Sequence, residues 1–482
     1  MRVKFLLPVA VMLMLGCVSC GSGSGSSTSP TPPPAPPPIG QATIVGSFAG
    51  DTRTCTLTTP HGCTDHPDPA IGVGPSYIAL FNRQGLTVLT RTGSVSQALQ
   101  DPATFWANAG ISGILDANVT NPRGTYDLVS HRYYVVDSIN TGTCGDLFAV
   151  SAPDDPTHWK AVNLSGTCGD LVMTVGYDSH GVYICEQLGF VQPVGSRCFA
   201  IPIADVTWTG SGTISLANMV TADMPSEGRY AASTNFRTAL AATDPAIIMS
   251  RPGVQDTTGT PLTLNYRQWT WPSSSTPVLS PSAASISTGF TYYMDSFNAP
   301  NSSTNQPGGS GVYLRNWEVG RDINPVIDLS GNLWVAVGSD IGSVTGNTGF
   351  FWFRIPVSSM TISASGTVYD SVGTSQLTYA TPAVDSKGNA YFFYGQGSVT
   401  EYLSHYVRVV PAGSSAMSAA TLLKSGSAYI TGYVTSNTVS FGTTMSAQTD
   451  PVDTTKVWLY GQYAANPAPY AWTTWVSEVG YP

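Results

Sequence analysis

The chain has 482 residues, enough for two or three ordinary domains or one large repeat array. Only 10% of residues are charged, the net charge is −9 and no basic run occurs, which excludes nucleic acid as a partner. Abundant Gly (49) and Pro (35), with many Ser and Thr, exclude a mainly helical protein and point to short strands and turns.

Met1 to Cys20 reads as an export leader. Arg2 and Lys4 form its positive start and Phe5 to Leu15 its apolar stretch. That stretch is too short for a membrane-spanning helix. Gly16-Cys17 and Ser19-Cys20 each resemble, imperfectly, the end of a bacterial lipobox, so Cys17 or Cys20 is the expected acylation site. Plain secretion is the alternative. The expected location is therefore the cell envelope, at the outer membrane or cell surface, or the medium, with the membrane reached only through a lipid anchor. Residues 21–41 are a Ser/Gly tract followed by Pro-rich sequence. They cannot bury a core and read as a stalk, extended at ~3 Å per residue in the Pro half.

The other cysteines are Cys55, Cys63, Cys144, Cys168, Cys185 and Cys198. In an oxidising compartment they are expected as disulfides. Their short separations favour Cys55–Cys63, Cys144–Cys168 and Cys185–Cys198. None of them forms a Cys-x-x-Cys pair and the His residues are scattered, so no metal site is expected.

From Ala42 onward, strand-like runs alternate with turns. Ala42 to Phe48 could supply a strand that closes a ring with the last unit. Similar units open at Asp68, Asn121, Leu171, Pro225, Asn324, Thr381 and Val439, and Asp101 to Gly110 reads as a short helical turn. The clearest repeat is Asn324-Pro-Val-Ile-Asp-Leu-Ser-Gly-Asn-Leu-Trp334, which returns as Thr381-Pro-Ala-Val-Asp-Ser-Lys-Gly-Asn-Ala-Tyr391. Each copy reads as strand, Asp-x-x-Gly-Asn turn, strand: Asp accepts turn N–H groups, and Gly and Asn supply positive φ. Most units begin about 50–60 residues apart, a spacing that suits propeller blades. The wide gap between the fourth and fifth holds residues 272–311, rich in Ser, Pro, Asn and Gly, read as an insertion; Thr291-Tyr-Tyr-Met294 leaves an eighth unit open.

Multi-stranded units of this length predict an all-β domain over residues 42–482, a seven-bladed β-propeller with eight blades as the alternative. One four-stranded blade cannot bury both faces, whereas blades packed around an axis can. Two sandwich domains would not explain the repeat.

Asp68-Pro-Ala-Ile-Gly-Val-Gly-Pro-Ser-Tyr77, Tyr126-Asp127 with Arg132-Tyr133, Ala152-Pro-Asp-Asp-Pro-Thr-His-Trp159, and Asp450-Pro-Val-Asp453 with Trp458 carry a family resemblance. The chain resembles exported bacterial seven-bladed propellers, a largely uncharacterised group in the sialidase-like and WD40-like neighbourhood. The resemblance spans residues 66–482 and implies the fold. One departure is Phe441-Gly-Thr-Thr444, where relatives tend to carry Gly-Asp-Tyr.

Phe353-Arg-Ile-Pro356 matches an element of sialidases whose Arg binds a substrate carboxylate. Phe199-Ala-Ile-Pro202 and Val407-Arg-Val-Val-Pro411 look like the same strand in other units, so a structural strand is expected. The Asp178, Asp328 and Asp385 turns lack the full sialidase Asp-box and read as structural; Ca²⁺ is the one cofactor such carboxylates could hold. Trp106, Trp159, Trp269, Trp271, Trp472 and Trp475 could stack on sugars, but blade packing is the expected use.

Innermost strands line a propeller's channel. Asp68, Arg123, Glu227, Arg229, Tyr230, Arg321 and Asp322 fall near unit starts. Three Arg converging there could clamp a carboxylate, and Glu227 with Tyr230, with Asp322 or Asp68, could serve glycoside chemistry. Arg–carboxylate pairs knitting neighbouring blades are the competing expectation. The expected function is non-catalytic binding of a glycan or protein ligand at the channel mouth by a monomer. The alternatives are a sialidase-like glycoside hydrolase or polysaccharide lyase, and a passive envelope scaffold.

Overall fold

The structure is a computed structural model that describes residues 39–53, 67–116, 119–139, 145–165, 174–188, 195–210, 212–225, 227–241, 243–251, 259–293, 307, 313–314, 323–341, 347–372, 375–428, 434–435, 438–439, 444–465 and 472–482. Seven sheets form a seven-bladed β-propeller. From the axis outward, blade 1 is Ala70–Val73, Tyr77–Asn82, Gly85–Thr90 and Val95–Gln100. Blade 2 is Val119–Asp127, Arg132–Ile139, Gly145–Ala152 and Asp155–Ser165, and blade 3 is Thr174–Tyr177, Gly181–Leu188, Gly195–Pro202 and Val220–Met224. Blade 4 begins with Arg229–Ala232, Ala246–Arg251 and Thr260–Ser273. Blade 5 is Val326–Ile327, Asn332–Ile341, Asn347–Pro356 and Ala364–Val368, and blade 6 is Ser375–Val384, Ala390–Ser398, Ser404–Val410 and Thr421–Lys424. Blade 7 is Ser446–Thr449, Lys456–Tyr463, Trp472–Gly480 and, outermost, Thr43–Arg53.

The N-terminal strand thus closes the ring, pairing Thr43 with Gly480 and Arg53 with Trp472. Phe48 packs on Trp458 and on Gly93 of blade 1, where any Cβ would meet its ring. Asn82 of blade 1 donates to the Asp51 carboxylate at 2.7 Å, while burial pushes that carboxyl up to about 6.

The segment read as an insertion contributes to blade 4. Thr276–Leu279 and Ala284–Tyr292 lie in succession along the same edge of Thr260–Ser273, as a broken fourth strand. Thr291 and Tyr292 belong to that strand, which corrects the eight-blade alternative. The inner strand of blade 4 also runs on as Thr234–Asn235, parallel to Val326–Ile327, and so stitches blade 4 to blade 5. Pro102–Asn108 forms the expected short helix, capped by the Asp101 carboxylate accepting from Thr104 N. Its Phe105 packs edge-on against both buried Trp106 and Trp159 of blade 2, in one core cluster shared by blades 1 and 2.

Alternation explains why the blade interiors read as unbroken apolar runs. Successive side chains of a strand point to opposite faces. In blade 2, Tyr133 and Val135 pack toward blade 1, while Tyr134 and Val136 pack toward blade 3. In blade 7, Val457 and Leu459 face blade 6, and Trp458 and Tyr460 face blade 1. Both faces of each blade are interior.

The repeated Asp turn is a structural lock. Asp328 accepts from Ser330 N and Asn332 N at 2.9 Å, and Trp334 Nε1 donates to its other oxygen at 2.9 Å. Asp385 does the same with Lys387 N, Asn389 N and the Tyr391 hydroxyl. Gly331 and Gly388 sit at φ +77° and +86° in these turns, as the reversal demands. Asp127 with Tyr134, Asp178 with Tyr183, and Asp450 with Trp458 repeat the arrangement. These turns define one face of the disc, called here the turn face; the opposite face carries the starts of the inner strands.

The inner strands are tied by side chains. Gln448 of blade 7 accepts from Val73 N (3.0 Å) and Tyr126 N (3.1 Å), and donates to Val73 O (3.0 Å) and Tyr126 O (3.3 Å). One amide thus joins blades 7, 1 and 2. Gln448→Leu is expected to lower unfolding free energy by about 3 kcal/mol or more, because buried main-chain groups lose their partners. An unchanged denaturant midpoint would show the clamp to be dispensable.

His405 of blade 6 is fully buried against Phe393 and Tyr463 and donates from Nε2 to Gln462 O at 2.6 Å. Burial lowers its pKa from 6.5 to about 4. The unfolded chain takes up this proton below pH 6.5 and the folded chain only near 4. The His405 contribution is therefore complete above 6.5 and is lost as pH falls toward 4. Denaturant midpoints across that range should fall less steeply in His405→Gln than in the parent; parallel slopes would contradict this.

Candidate functional site

A cavity lies on the propeller axis, with about 580 Å³ of empty space including the part open to solvent. Every blade contributes: Ala70, Arg123, Thr174, Ala232, Val326, Thr381 and Thr444 are its wall in order of blades 1 to 7. The wall residues lie at or near the starts of the inner strands, and Gln448 reaches across below Ser446 and Ala447. The cavity is therefore a cup on the side away from the turn face.

Its lining is rich in hydroxyls. Thr174 Oγ1 accepts from Ala232 N, Ser446 Oγ accepts from Ile71 N, and Thr381 Oγ1 donates to Met445 O. These three are engaged in joining blades. Thr444 Oγ1 is buried and has no hydrogen-bond partner among the described residues. Arg123 is the one cationic side chain among the described lining residues, and none of them is a carboxylate.

Three non-glycine residues with left-handed backbone precede wall residues: Asp68 (φ 47°), Asn121 (φ 59°) and Tyr379 (φ 53°). This conformation is uncommon outside Gly and least costly for Asn and Asp. Arg83 holds two of them, donating from Nε to Asp68 at 2.7 Å and from NH2 to Asn121 Oδ1 at 3.0 Å. Behind this rim lies Asp137, whose carboxyl is pushed well above the carboxylate range by burial, against the Ser138 N–H, Arg83 and Arg123.

The predicted residues separate into two groups. Arg123 lines the cup and Asp68 stands at its rim, paired with Arg83. Glu227, Arg229 and Tyr230 lie before Ala232 on blade 4 and outside the described lining. Arg267 grips Glu227 with both Nε (2.8 Å) and NH2. That guanidinium holds the Glu227 carboxyl below its usual range. Tyr230 donates to Glu227 at 3.1 Å, and burial together with that carboxylate pushes the phenol up to about 12. A phenol so raised is a poor nucleophile. Arg321 and Asp322 lie outside the described residues, as do Cys17, Cys20, Cys55, Cys63, Cys144 and Cys168. Cys185 and Cys198 are bonded across neighbouring strands of blade 3.

Other sequence candidates have structural partners. Arg354 lies over Trp334 and donates to Ser363 Oγ and to Ser414 O of the neighbouring blade. Its strand is third from the axis, so it cannot reach the cup. Trp106, Trp159, Trp269, Trp271 and Trp472 are buried, and Lys424 covers Trp475 with Nζ 3.7 Å from the ring centroid. The turn carboxylates have N–H and O–H donors that a cation would have to displace. Gln448, Arg83 and Asp137 were not singled out from sequence, where nothing local marks them, and Thr444 was noted only as the end of the departing segment Phe441-Gly-Thr-Thr444.

No protein-family model matches the chain, and no curated protein matches it. Solved structures similar to it include an α-L-arabinanase of Penicillium chrysogenum complexed with arabinobiose, at 10% identity over 75% of this chain and 93% of that one, TM-score 0.39. A protein of unknown function from Dyadobacter fermentans is similar at 9% identity over 76% and 95%, TM-score 0.37. A subtype N10 neuraminidase-like protein of influenza A/little yellow-shouldered bat/Guatemala is similar at 9% over 77% and 100%, TM-score 0.34.

Arg83→Met removes the guanidinium from buried Asp68 and frees Asn121. It should destabilise the fold by about 3 kcal/mol, and Asp68→Asn in the same chain should recover part of the loss. Additive effects in the double-mutant cycle would mean that the pair is not coupled.

Proposed function

We propose that this protein is an exported propeller that binds a glycan group in its axial cup without turning it over. The observation that carries the reading is the cup itself. All seven inner strands build it, it is rich in hydroxyls, and among its described residues it presents one cation and no carboxylate. The buried Thr444 hydroxyl, without a partner among the described residues, is available to a ligand group that reaches it. Arg123 favours a ligand carrying an acidic or strongly polar substituent. The blade 3 disulfide suits an oxidising compartment and agrees with the leader.

A glycan-active enzyme is the second reading. In its favour, Asp68 is paired with Arg83 while Asp137 is pushed up by burial, so two neighbouring carboxyls have opposed environments. Against it, neither lines the cup, whereas glycoside hydrolysis wants two carboxyls ~5–10 Å apart across the scissile bond.

The test is a calorimetric screen of the full mature chain against neutral and acidic mono- and oligosaccharides, with short peptides as the contrasting class. A sugar ligand should lose about tenfold in affinity in both Arg123→Met and Thr444→Val, and prolonged incubation should release no product. Binding indifferent to both substitutions would remove the cup from the reading, and a peptide ligand would replace the glycan. Product formation abolished by Asp137→Asn would install the enzyme instead.

A further inference from the structure

The register of blade 7 fixes which way the cup faces relative to the chain's own ends. Thr43 pairs with Gly480, and Gly480 pairs with Lys456, the residue that follows the Asp450 turn. The start of the first strand and the C-terminal residues therefore lie on the turn face. Lys387, in the Asp385 turn of blade 6, donates from Nζ to Tyr481 O at 3.3 Å and fixes the C-terminus there. Gln41 Nε2 donates to Ala420 O, and Thr421 Oγ1 donates to Ala42 O, so the N-terminal entrance is pinned between blades 6 and 7. The other end of the same strand, Arg53, pairs with Trp472 on the opposite face. The strand is eleven residues long, a span of roughly 30 Å at ~3.3 Å per residue. The cup belongs to that opposite side: Ser446 is level with Tyr460, above Gln448 and Trp458, and Thr444 lies further up.

We infer that the cup opens away from whatever surface holds the N-terminus, so that its ligand is taken from the medium or from a facing surface and not from the surface that carries the chain. The source of the ligand rests on the cup-binding reading above; the orientation does not. Ala42, at the start of the propeller, thus lies on the turn face, and the inner-strand starts lie on the other. The exposed turn residues mark the faces for measurement: Val452 follows Asp450 on the turn face, and Val399 follows Ser398, which pairs with Ser375 at the far end of blade 6.

The full mature chain carrying an N-terminal His tag ahead of residue 21 is bound to nickel-chelating phosphatidylcholine vesicles containing an acceptor-labelled lipid. Donor dye is placed on Val452→Cys or on Val399→Cys, with labelling of the parent chain subtracted. Transfer to the membrane should be greater from residue 452 than from residue 399. Equal transfer, or greater transfer from 399, would overturn the orientation. In a second arm, a sugar found in the calorimetric screen should bind vesicle-held and free protein alike, and a loss on tethering would overturn the outward presentation. If the screen finds no sugar, the transfer ratio still decides the orientation, so the two readings fail separately.

Discussion

The innermost strand of each blade has a sheet neighbour on its outer side, leaving main-chain N–H and C=O groups along its axial edge. Buried polar groups of this kind must find partners. Around this axis they find side chains from the next blade: Gln448 serves Val73 and Tyr126, Ser446 serves Ile71, Thr174 serves Ala232, and Thr381 serves Met445. Close approach is part of the same solution. A Cβ on Gly176 would lie 2.3 Å from Ser233 O, so the blade 3 strand can reach blade 4 only because that residue has no side chain. Between blades 4 and 5, the main chain itself supplies the bonds, through the parallel Thr234–Asn235 pairing.

This requirement changes how the cup should be read. A hydroxyl-rich wall in a propeller need not imply a ligand, since three of its six described hydroxyl side chains are committed to holding the ring together. Thr174, Thr381 and Ser446 belong to that class. Thr444, whose oxygen has no partner among the described residues, does not. The left-handed rim residues make a related distinction. Asp68 and Asn121 tolerate positive φ and have Arg83 to hold them, whereas Tyr379 is a residue type for which that conformation is uncommon. Strain at such a place is retained where the surroundings over-determine it, and here it directs Thr381 and Pro382 to the axis.

The fold was legible because its repeated chemistry is local. An Asp, a Gly three residues later and an aromatic six residues on specify one hairpin, and Asp328–Trp334 and Asp385–Tyr391 show both ends of that pattern bonded. The ring-closing strand could be read from Ala42 to Phe48 because a sheet edge at the end of a ring needs a partner. Blade 4 was harder: its outer strand breaks at Ser280–Ala283, within Ser- and Pro-rich sequence that reads as insertion. The site was legible only where position along a blade determines it, as for Arg123. Glu227 could not be excluded from sequence, because the residue that consumes it, Arg267, is on a strand two places outward with a long connection between.

The same distance in sequence explains why a sialidase signature misleads here. Phe353-Arg-Ile-Pro356 has the right residues on the wrong radius: a third strand cannot present a guanidinium to the axis while two strands intervene. Arg354 instead spreads over Trp334, the indole that locks the Asp328 turn, and reaches Ser414 on the next blade. In a propeller the chemistry available to a ligand is decided by radius first and residue type second. Only side chains from the inner strands, or from the connections that precede them, can meet at the axis. Arg123 and Thr444 satisfy that condition; Glu227 satisfies it too but is held by Arg267 outside the described lining, while Arg354 and the buried Trp residues do not satisfy it. A cup built under this restriction acquires its specificity from few groups, several of them already occupied in keeping the blades together.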